Sequence, residues 1–192
     1  MSLDILTPKG QESAREEQEM LDSLRITFPD SMFVNTPKHQ PARVDGLTFK
    51  DGRLTGCFES KCRKMTRQQL AEWGDEWLVT YEKIVCGANL ARGLGVPFYG
   101  FLYLVPDKRI IVVKIADSSG ELLPRIRLER TVTQRTVNGG QIVRTNAYID
   151  VSMNKRTIDA AIRHLGVEIQ HKRGSGYFYF TSIETGASVG ES

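Results

Sequence analysis

A mixed α+β or α/β fold is what this chain of 192 residues predicts, and three observations predict it. Residues 11–26 carry Ala14, Met20, Leu21 and Leu24 at the spacing of one helix face. Residues 44–49 and 54–62 are rich in β-branched and aromatic side chains and flank Lys50-Asp51-Gly52, so they predict a β-hairpin. Residues 98–105 and 109–115 are near-continuous apolar runs meeting at Pro106-Asp107-Lys108, the pattern of central strands covered on both faces. The expected organisation is a flexible lead-in over 1–10, a core over 11–116, a basic β-rich extension with one helix over 117–183, and a disordered tail over 184–192.

The first helix is expected to stop at Phe28-Pro29-Asp30, and residues 32–35 predict a short strand. Residues 36–43, with Pro37, Lys38, His39 and Pro41, form a loop into the hairpin. Thr66 is expected to open one long helix, with Leu70, Trp73, Trp77, Tyr81, Ile84, Val85 and Ala88 inward and fraying between Gly87 and Gly95. Thr66-Arg67-Gln68-Gln69 reads as a capping box, in which two side chains satisfy free backbone donors. Past a polar break at 116–120, residues 126–136 and 141–151 predict a long hairpin around Asn138-Gly139-Gly140. A helix over 155–165 follows, with Ile158, Ala161, Ile162 and Leu165 inward. A last hairpin is expected around 172–176, ending in Tyr177-Phe178-Tyr179-Phe180.

A net charge of +3 is too small to establish a nucleic-acid partner. Its distribution says more, because residues 121–174 hold ten Lys or Arg against five Asp or Glu, as a phosphate-contacting surface needs. Cys57, Cys62 and Cys86 are odd in number and lack a Cys-x-x-Cys spacing, so reduced packing residues are expected rather than a disulfide frame or zinc site. No apolar run approaches the roughly 18 residues of a membrane span, and the polar start lacks the signal-peptide pattern. A cytoplasmic protein without membrane contact is the expectation. The chain has no Gly-rich phosphate loop, nucleophile elbow or paired His/Cys set.

The chemistry concentrates in the first hairpin, where register decides which side chains meet. With a two-residue Asp51-Gly52 loop, Val44 faces Glu59 and Asp45 points away from Glu59 and Lys61. With a three-residue Lys50-Asp51-Gly52 loop and Gly52 left-handed in a bulge, Asp45 faces Cys57 and shares a face with Glu59 and Lys61. The bulged register is predicted. Asp45 and Glu59 then offer oxygen ligands to Mg²⁺ or Mn²⁺, cations that favour carboxylates and water and keep positions open for phosphate oxygens. The Ser60 carbonyl adds a neutral ligand, and Lys61 stabilises charge on a scissile phosphate or positions the attacking water. Alternating charges on an edge strand also guard against aggregation, which is the structural reading of the same tripeptide.

Asp45, a separation of fourteen residues across a hairpin, and Glu59-Ser60-Lys61 resemble the PD-(D/E)XK nuclease superfamily, which includes restriction endonucleases, Holliday-junction resolvases and phage or repair exonucleases. The resemblance covers about residues 11–115 and implies a restriction-endonuclease-like αβββαβ core. Val44 stands where the motif has proline, and Pro41 is nearby but out of place. What the resemblance implies is a Mg²⁺- or Mn²⁺-dependent deoxyribonuclease with Asp45, Glu59 and Lys61 catalytic. It also implies an acid from the first helix, Glu17 or, one residue out of phase, Glu16. Gln69-Leu70-Ala71-Glu72-Trp73 is similar to a helical Gln motif that follows Glu-x-Lys in some exonuclease branches, with Trp in place of Tyr. Members acting on both strands are often dimers, so a homodimer is among the expectations.

DNA contacts are expected from Lys38 and His39 in the loop, from Arg43, Arg63 and Lys64 beside the motif, from Arg127, Arg135 and Arg144 on the long ribbon, and from Lys172 and Arg173 in the glycine loop. The C-terminal region reads alternatively as a dimer interface. The chain as a whole reads alternatively as a nucleic-acid-binding or assembly module that does not cleave.

Overall fold

In the computed structural model, which describes residues 7–37, 42–133, 142–152, 157–159, 167–171, 178–182 and 188–191, the first helix α1 (Pro8–Thr27) starts inside the expected lead-in. Pro8 suits the first helical turn, and the Thr7 side chain accepts the Gly10 N–H at 3.0 Å. Met20, Leu21 and Leu24 form its buried face. The strand β1 (Ser31–Asn35) is antiparallel to β2 (Gly46–Lys50), and β2 is antiparallel to β3 (Arg53–Arg63).

α2 (Arg67–Glu72) opens on the capping box at Thr66 and Gln69, but it does not continue. In place of one long helix come α2, β4 (Glu76–Thr80) and α3 (Tyr81–Leu94). Gly74 and Asp75 take positive φ values of 84° and 56°, which a right-handed helix cannot pass through. Beyond them Trp77 and Val79 are buried in alternation with half-buried neighbours, the period of a strand. The four-residue spacing of Trp73, Trp77 and Tyr81 had imitated a helix face.

β5 (Phe98–Leu104) runs parallel to β3 and antiparallel to β6 (Arg109–Ala116), completing the expected buried hairpin. β7 (Ile126–Thr133) and β8 (Ile142–Asp150) form the long ribbon, and β4 pairs with the other side of β8. β9 (Thr157–Asp159) pairs with β6 where a helix over 155–165 was expected. Thr157 and Ile158 are β-branched, which suits a strand; residues 155–156 and 160–165 of the expected helix, with Ala161, Ile162 and Leu165, lie outside the described residues. β10 (Val167–His171), β11 (Phe178–Ser182) and β12 (Ser188–Glu191) form a further antiparallel sheet, so the tail expected to be disordered contributes a strand to β11. The described strands thus make three sheets, in the orders β1-β2-β3-β5-β6-β9, β4-β8-β7 and β10-β11-β12. The protein is of mixed α and β structure. No helix among the described residues is long and apolar enough to cross a membrane.

Side chains of the large sheet alternate between two cores. On one face Met20, Leu21 and Leu24 of α1 pack on Phe33, Phe58 and Phe101. On the other, Cys57, Phe98 and Leu102 meet Ile84 of α3, Trp77 of β4 and Ile149 of β8. Gly100 makes the second contact possible, since a Cβ there would fall 2.2 Å from the Trp77 ring. Gly100 pairs with Glu59, so α3 and the β4-β8-β7 sheet are seated beside the Glu-Ser-Lys segment.

Candidate active site

The hairpin that carries the site has a two-residue turn. Asp51 and Gly52 have φ of 51° and 71°, Lys50 pairs with Arg53, and the turn is of the I′ type. This corrects the three-residue loop expected at Lys50-Asp51-Gly52. The register is then reset along the strand: Phe49 pairs with Leu54 but Thr48 with Gly56, leaving Thr55 as an extra residue in β3. Gly46 pairs with Phe58 and Leu47 with Cys57, and the Asp45 N–H donates to the Phe58 carbonyl at 2.9 Å, so Asp45 lies beside Glu59 and not opposite Cys57. The bulge recovers the parity that the turn alone would have lost.

β2 ends at Gly46 while β3 continues to Arg63, so among the described residues Glu59–Arg63 pairs with a strand on one side only. Asp45 takes over where the ladder stops. Its Oδ2 accepts the Ser60 N–H at 2.9 Å and the Ser60 hydroxyl at 3.1 Å. Its Oδ1 lies 3.5 Å from Lys83 Nζ, and Glu59 Oε2 lies 3.2 Å from the same nitrogen. Lys83 escaped the sequence reading because its position depends on the break at Gly74-Asp75. With α3 starting at Tyr81, Lys83 falls in the first turn, one turn before Gly87, whose Cα approaches the Phe98 ring so closely that a Cβ would lie 2.3 Å from it. That face packs on the sheet. A lysine one turn ahead of a glycine inside an apolar run was the signal available.

The Glu59 side chain is 2% exposed and that of Lys83 35%. Burial, and then the neighbouring charge of Asp45, push the Glu59 carboxyl up to about 7 against the opposing pull of Lys83 and Lys61. Burial alone would lower Lys83, but the two carboxylates outweigh it and hold its ammonium above the ordinary lysine value. Two carboxylate oxygens from different segments therefore converge on one cation. The donor set fits Mg²⁺ or Mn²⁺, which commonly take one or two protein carboxylates and leave other positions to water and phosphate. Among the described residues no three His, Cys, Asp or Glu side chains come together as a metal-holding group.

Lys61 lines the same open cleft of about 530 Å³ as Glu59 and Lys83, with Arg43 and Arg144 on its walls. Ser60 points its side chain to the opposite face, where its hydroxyl lies 3.5 Å from Glu17 Oε1. Glu17 thus meets the site from the α1 side, through Ser60 and Asp45. Glu16 instead faces Lys64, 3.8 Å away, and Glu12 holds the same ammonium at 2.6 Å. Arg127 is bound by Glu76 at 2.6 Å and Glu129 at 2.7 Å and lies 4.0 Å over the Tyr148 ring. Lys64 and Arg127 are both exposed, with their charges paired to carboxylates of this chain. Arg63 donates from Nη2 to the Leu78 carbonyl at 3.3 Å. Lys38, His39, Arg135, Lys172 and Arg173 lie outside the described residues. The three cysteines are free, and Cys57 is fully buried with its thiol pushed up to about 11 by that burial. No family model, curated protein or solved structure matches the chain.

Proposed function

We propose that this chain is a divalent-metal-dependent DNA nuclease with a restriction-endonuclease-like core, hydrolysing phosphodiester bonds as an endonuclease. The observation that carries the proposal is the convergence of Asp45 Oδ1 and Glu59 Oε2 on a single cation, Lys83 Nζ, in a cleft that Lys61 also lines. Asp45 and Glu59 would hold Mg²⁺ or Mn²⁺, with the Ser60 carbonyl as a neutral ligand. Such an ion supplies charge neutralisation at the phosphate and a more acidic water. Lys61 presents an ammonium to the phosphate oxygen that gains charge as water attacks phosphorus in line. Arg43 and Arg144 orient the flanking phosphates from the cleft walls. Lys83, on a flexible four-carbon stem, balances the carboxylates before an ion loads and yields its place afterwards. In a homodimer two such clefts would address both strands of a duplex.

The test is Asp45→Asn and Lys61→Ala. Asparagine keeps an oxygen to accept the Ser60 N–H, so the strand end stays capped. Both variants are expected to lose Mg²⁺- or Mn²⁺-dependent DNA cleavage by about 100-fold or more, with the folded circular dichroism spectrum retained. Undiminished cleavage by both variants ends the assignment. Circular DNA in the same assay separates endo- from exonuclease action, and branched and single-stranded DNAs identify the substrate. A second reading, a nucleic-acid-binding or assembly module that does not cleave, is favoured by the internal neutralisation of the two carboxylates by Lys83. DNA binding with no response of the melting temperature to Mn²⁺ selects it.

A further inference from the structure

A second cleft, of about 370 Å³, lies next to the first. Three strands line both in matching order. From the first cleft to the second, β3 advances from Glu59 and Lys61 to Arg63, β4 steps back from Thr80 and Val79 to Leu78 and Trp77, and β8 moves from Arg144 to Tyr148. β4 and β8 are antiparallel, so their two shifts run in one spatial direction. Both clefts are thus lined by β3, β4 and β8. Arg63 lines the second and donates to the Leu78 carbonyl at 3.3 Å. At about 3.3 Å per strand residue, Arg63 lies roughly 13 Å along β3 from Glu59.

The chemistry of the second cleft differs from that of the first. Trp73 at the end of α2 lines it and is 69% exposed, the most exposed large apolar side chain among the described residues. Trp77 lines it too, and its indole Nε1 is buried without a hydrogen-bond acceptor. Glu76 and Arg127 on the wall neutralise one another. Arg63 has hydrogen bonds to the Cys62 and Leu78 carbonyls but no carboxylate partner of its own among the described residues. An exposed indole beside such a guanidinium matches a flat aromatic ring that carries an anion. The volume, near the lower end of the roughly 300–1,000 Å³ of ligand pockets, suits one ring system.

We infer that the second cleft is a subsite for one unpaired nucleotide, its base stacked on Trp73 and its phosphate at Arg63, a short distance along the strand from the Asp45–Glu59 site. The inference rests on the nuclease reading and narrows it: the substrate is nucleic acid with a single-stranded end, flap or loop beside the scissile bond. Base stacking on an exposed aromatic is sequence-tolerant, so the subsite selects strandedness and not sequence.

Trp73 is exposed, so Trp73→Ala and Trp73→Phe leave the core intact. Anisotropy titrations in EDTA, where cleavage cannot interfere, would use three labelled probes: a single-stranded oligothymidylate, a blunt duplex, and a duplex with a single-stranded overhang. Trp73→Ala is expected to weaken the single-stranded and overhang probes about tenfold and leave the blunt duplex unchanged, while Trp73→Phe stays near wild type. Oligothymidylate is also expected to quench the wild-type tryptophan emission, and Trp73→Ala to lose that quenching. Equal single-strand affinity of wild type and Trp73→Ala overturns the subsite. So does a change confined to sedimentation, which would give the exposed ring to a second copy of the chain. Cleavage by Asp45→Asn is read in parallel. If that variant and Lys61→Ala both cleave like wild type, the assignment of cleavage to this site fails, whatever Trp73 does. If Asp45→Asn is dead and Trp73→Ala binds normally, only the subsite fails. Absence of single-strand binding by wild type overturns the subsite, while cleavage in Mg²⁺ decides the nuclease reading separately.

Discussion

Pushed up to about 7 by burial, the Glu59 carboxyl holds its proton in the folded protein over a pH range where the unfolded chain, near the ordinary 4.5, has lost it. Below pH 4.5 both states are protonated and the group is neutral in its effect. Between 4.5 and 7 the folded state binds the extra proton, so stability falls as pH rises, and above 7 the whole penalty of a buried charge is present. The gap between the two values converts to a ceiling of roughly 3 kcal/mol. Glu59→Gln is therefore expected to match wild-type stability near pH 4.5 and to exceed it increasingly towards pH 8, approaching that ceiling, while cleavage is lost. Urea unfolding curves across this range check it. A difference between the two proteins that does not change with pH would show that Glu59 ionises freely in the fold. On the proposed metal reading, the same titration is expected to strengthen divalent binding as pH rises through 7, since the ligand form is the carboxylate.

At the scale of the element, the site depends on how β3 absorbs an odd residue. A two-residue turn at Asp51-Gly52 and unbroken pairing would have placed Val44 opposite Glu59. The bulge at Thr55 prevents that. That a turn falls at Lys50-Asp51-Gly52 was legible in the residues, but its length was not: a three-residue loop was expected and the turn has two residues. Nor was the bulge, because nothing in Leu54-Thr55-Gly56 specifies that Thr55 leaves the ladder. What specifies it lies elsewhere: Cys57 and Phe58, both fully buried, are fixed in opposite cores, and the slack is taken up nearer the solvent-exposed turn. The Glu-Ser-Lys motif, its upstream aspartate and the central β5–β6 hairpin were legible because each has a local signature. Lys83 and the break before β4 were not, since aromatic residues four apart satisfy a helix and a strand junction alike. If the core sets the register, deleting Thr55 leaves Phe49–Leu54 and Thr48–Gly56 as consecutive pairs and Asp45 still beside Glu59. The deletion is expected to cost about 1 kcal/mol or less, a shift of roughly 2–4 °C in a protein of this size, and to retain Mn²⁺ binding by calorimetry. A folded deletion variant that no longer binds Mn²⁺ would mean the bulge itself aims Asp45.

For the whole molecule, the site doubles as a fastening between layers. Lys83 belongs to α3, Glu59 to the middle of the large sheet, and Asp45 to the approach to β2, so one ammonium ties three segments together. A divalent ion at the same two oxygens, as proposed, would have to displace that ammonium, and its binding energy would be net of the tie that is broken. Lys83→Met separates the two contributions. Without metal, the variant leaves a buried carboxylate uncompensated and is expected to be destabilised at pH 8 by roughly 1–2 kcal/mol, less than for a fully buried pair because Lys83 is partly exposed. With metal, competition is gone and affinity is expected to rise about tenfold, which adds about 1.4 kcal/mol of stabilisation at a fixed excess of Mn²⁺. The melting temperature of Lys83→Met should then start lower than wild type in EDTA and climb further on Mn²⁺ addition, by roughly 2–4 °C beyond the wild-type response. Thermal unfolding of both proteins with EDTA and with Mn²⁺ at pH 8 measures this. Equal responses would show that ammonium and metal do not compete for Asp45 and Glu59, and the cation position inferred from Lys83 Nζ would have to be abandoned.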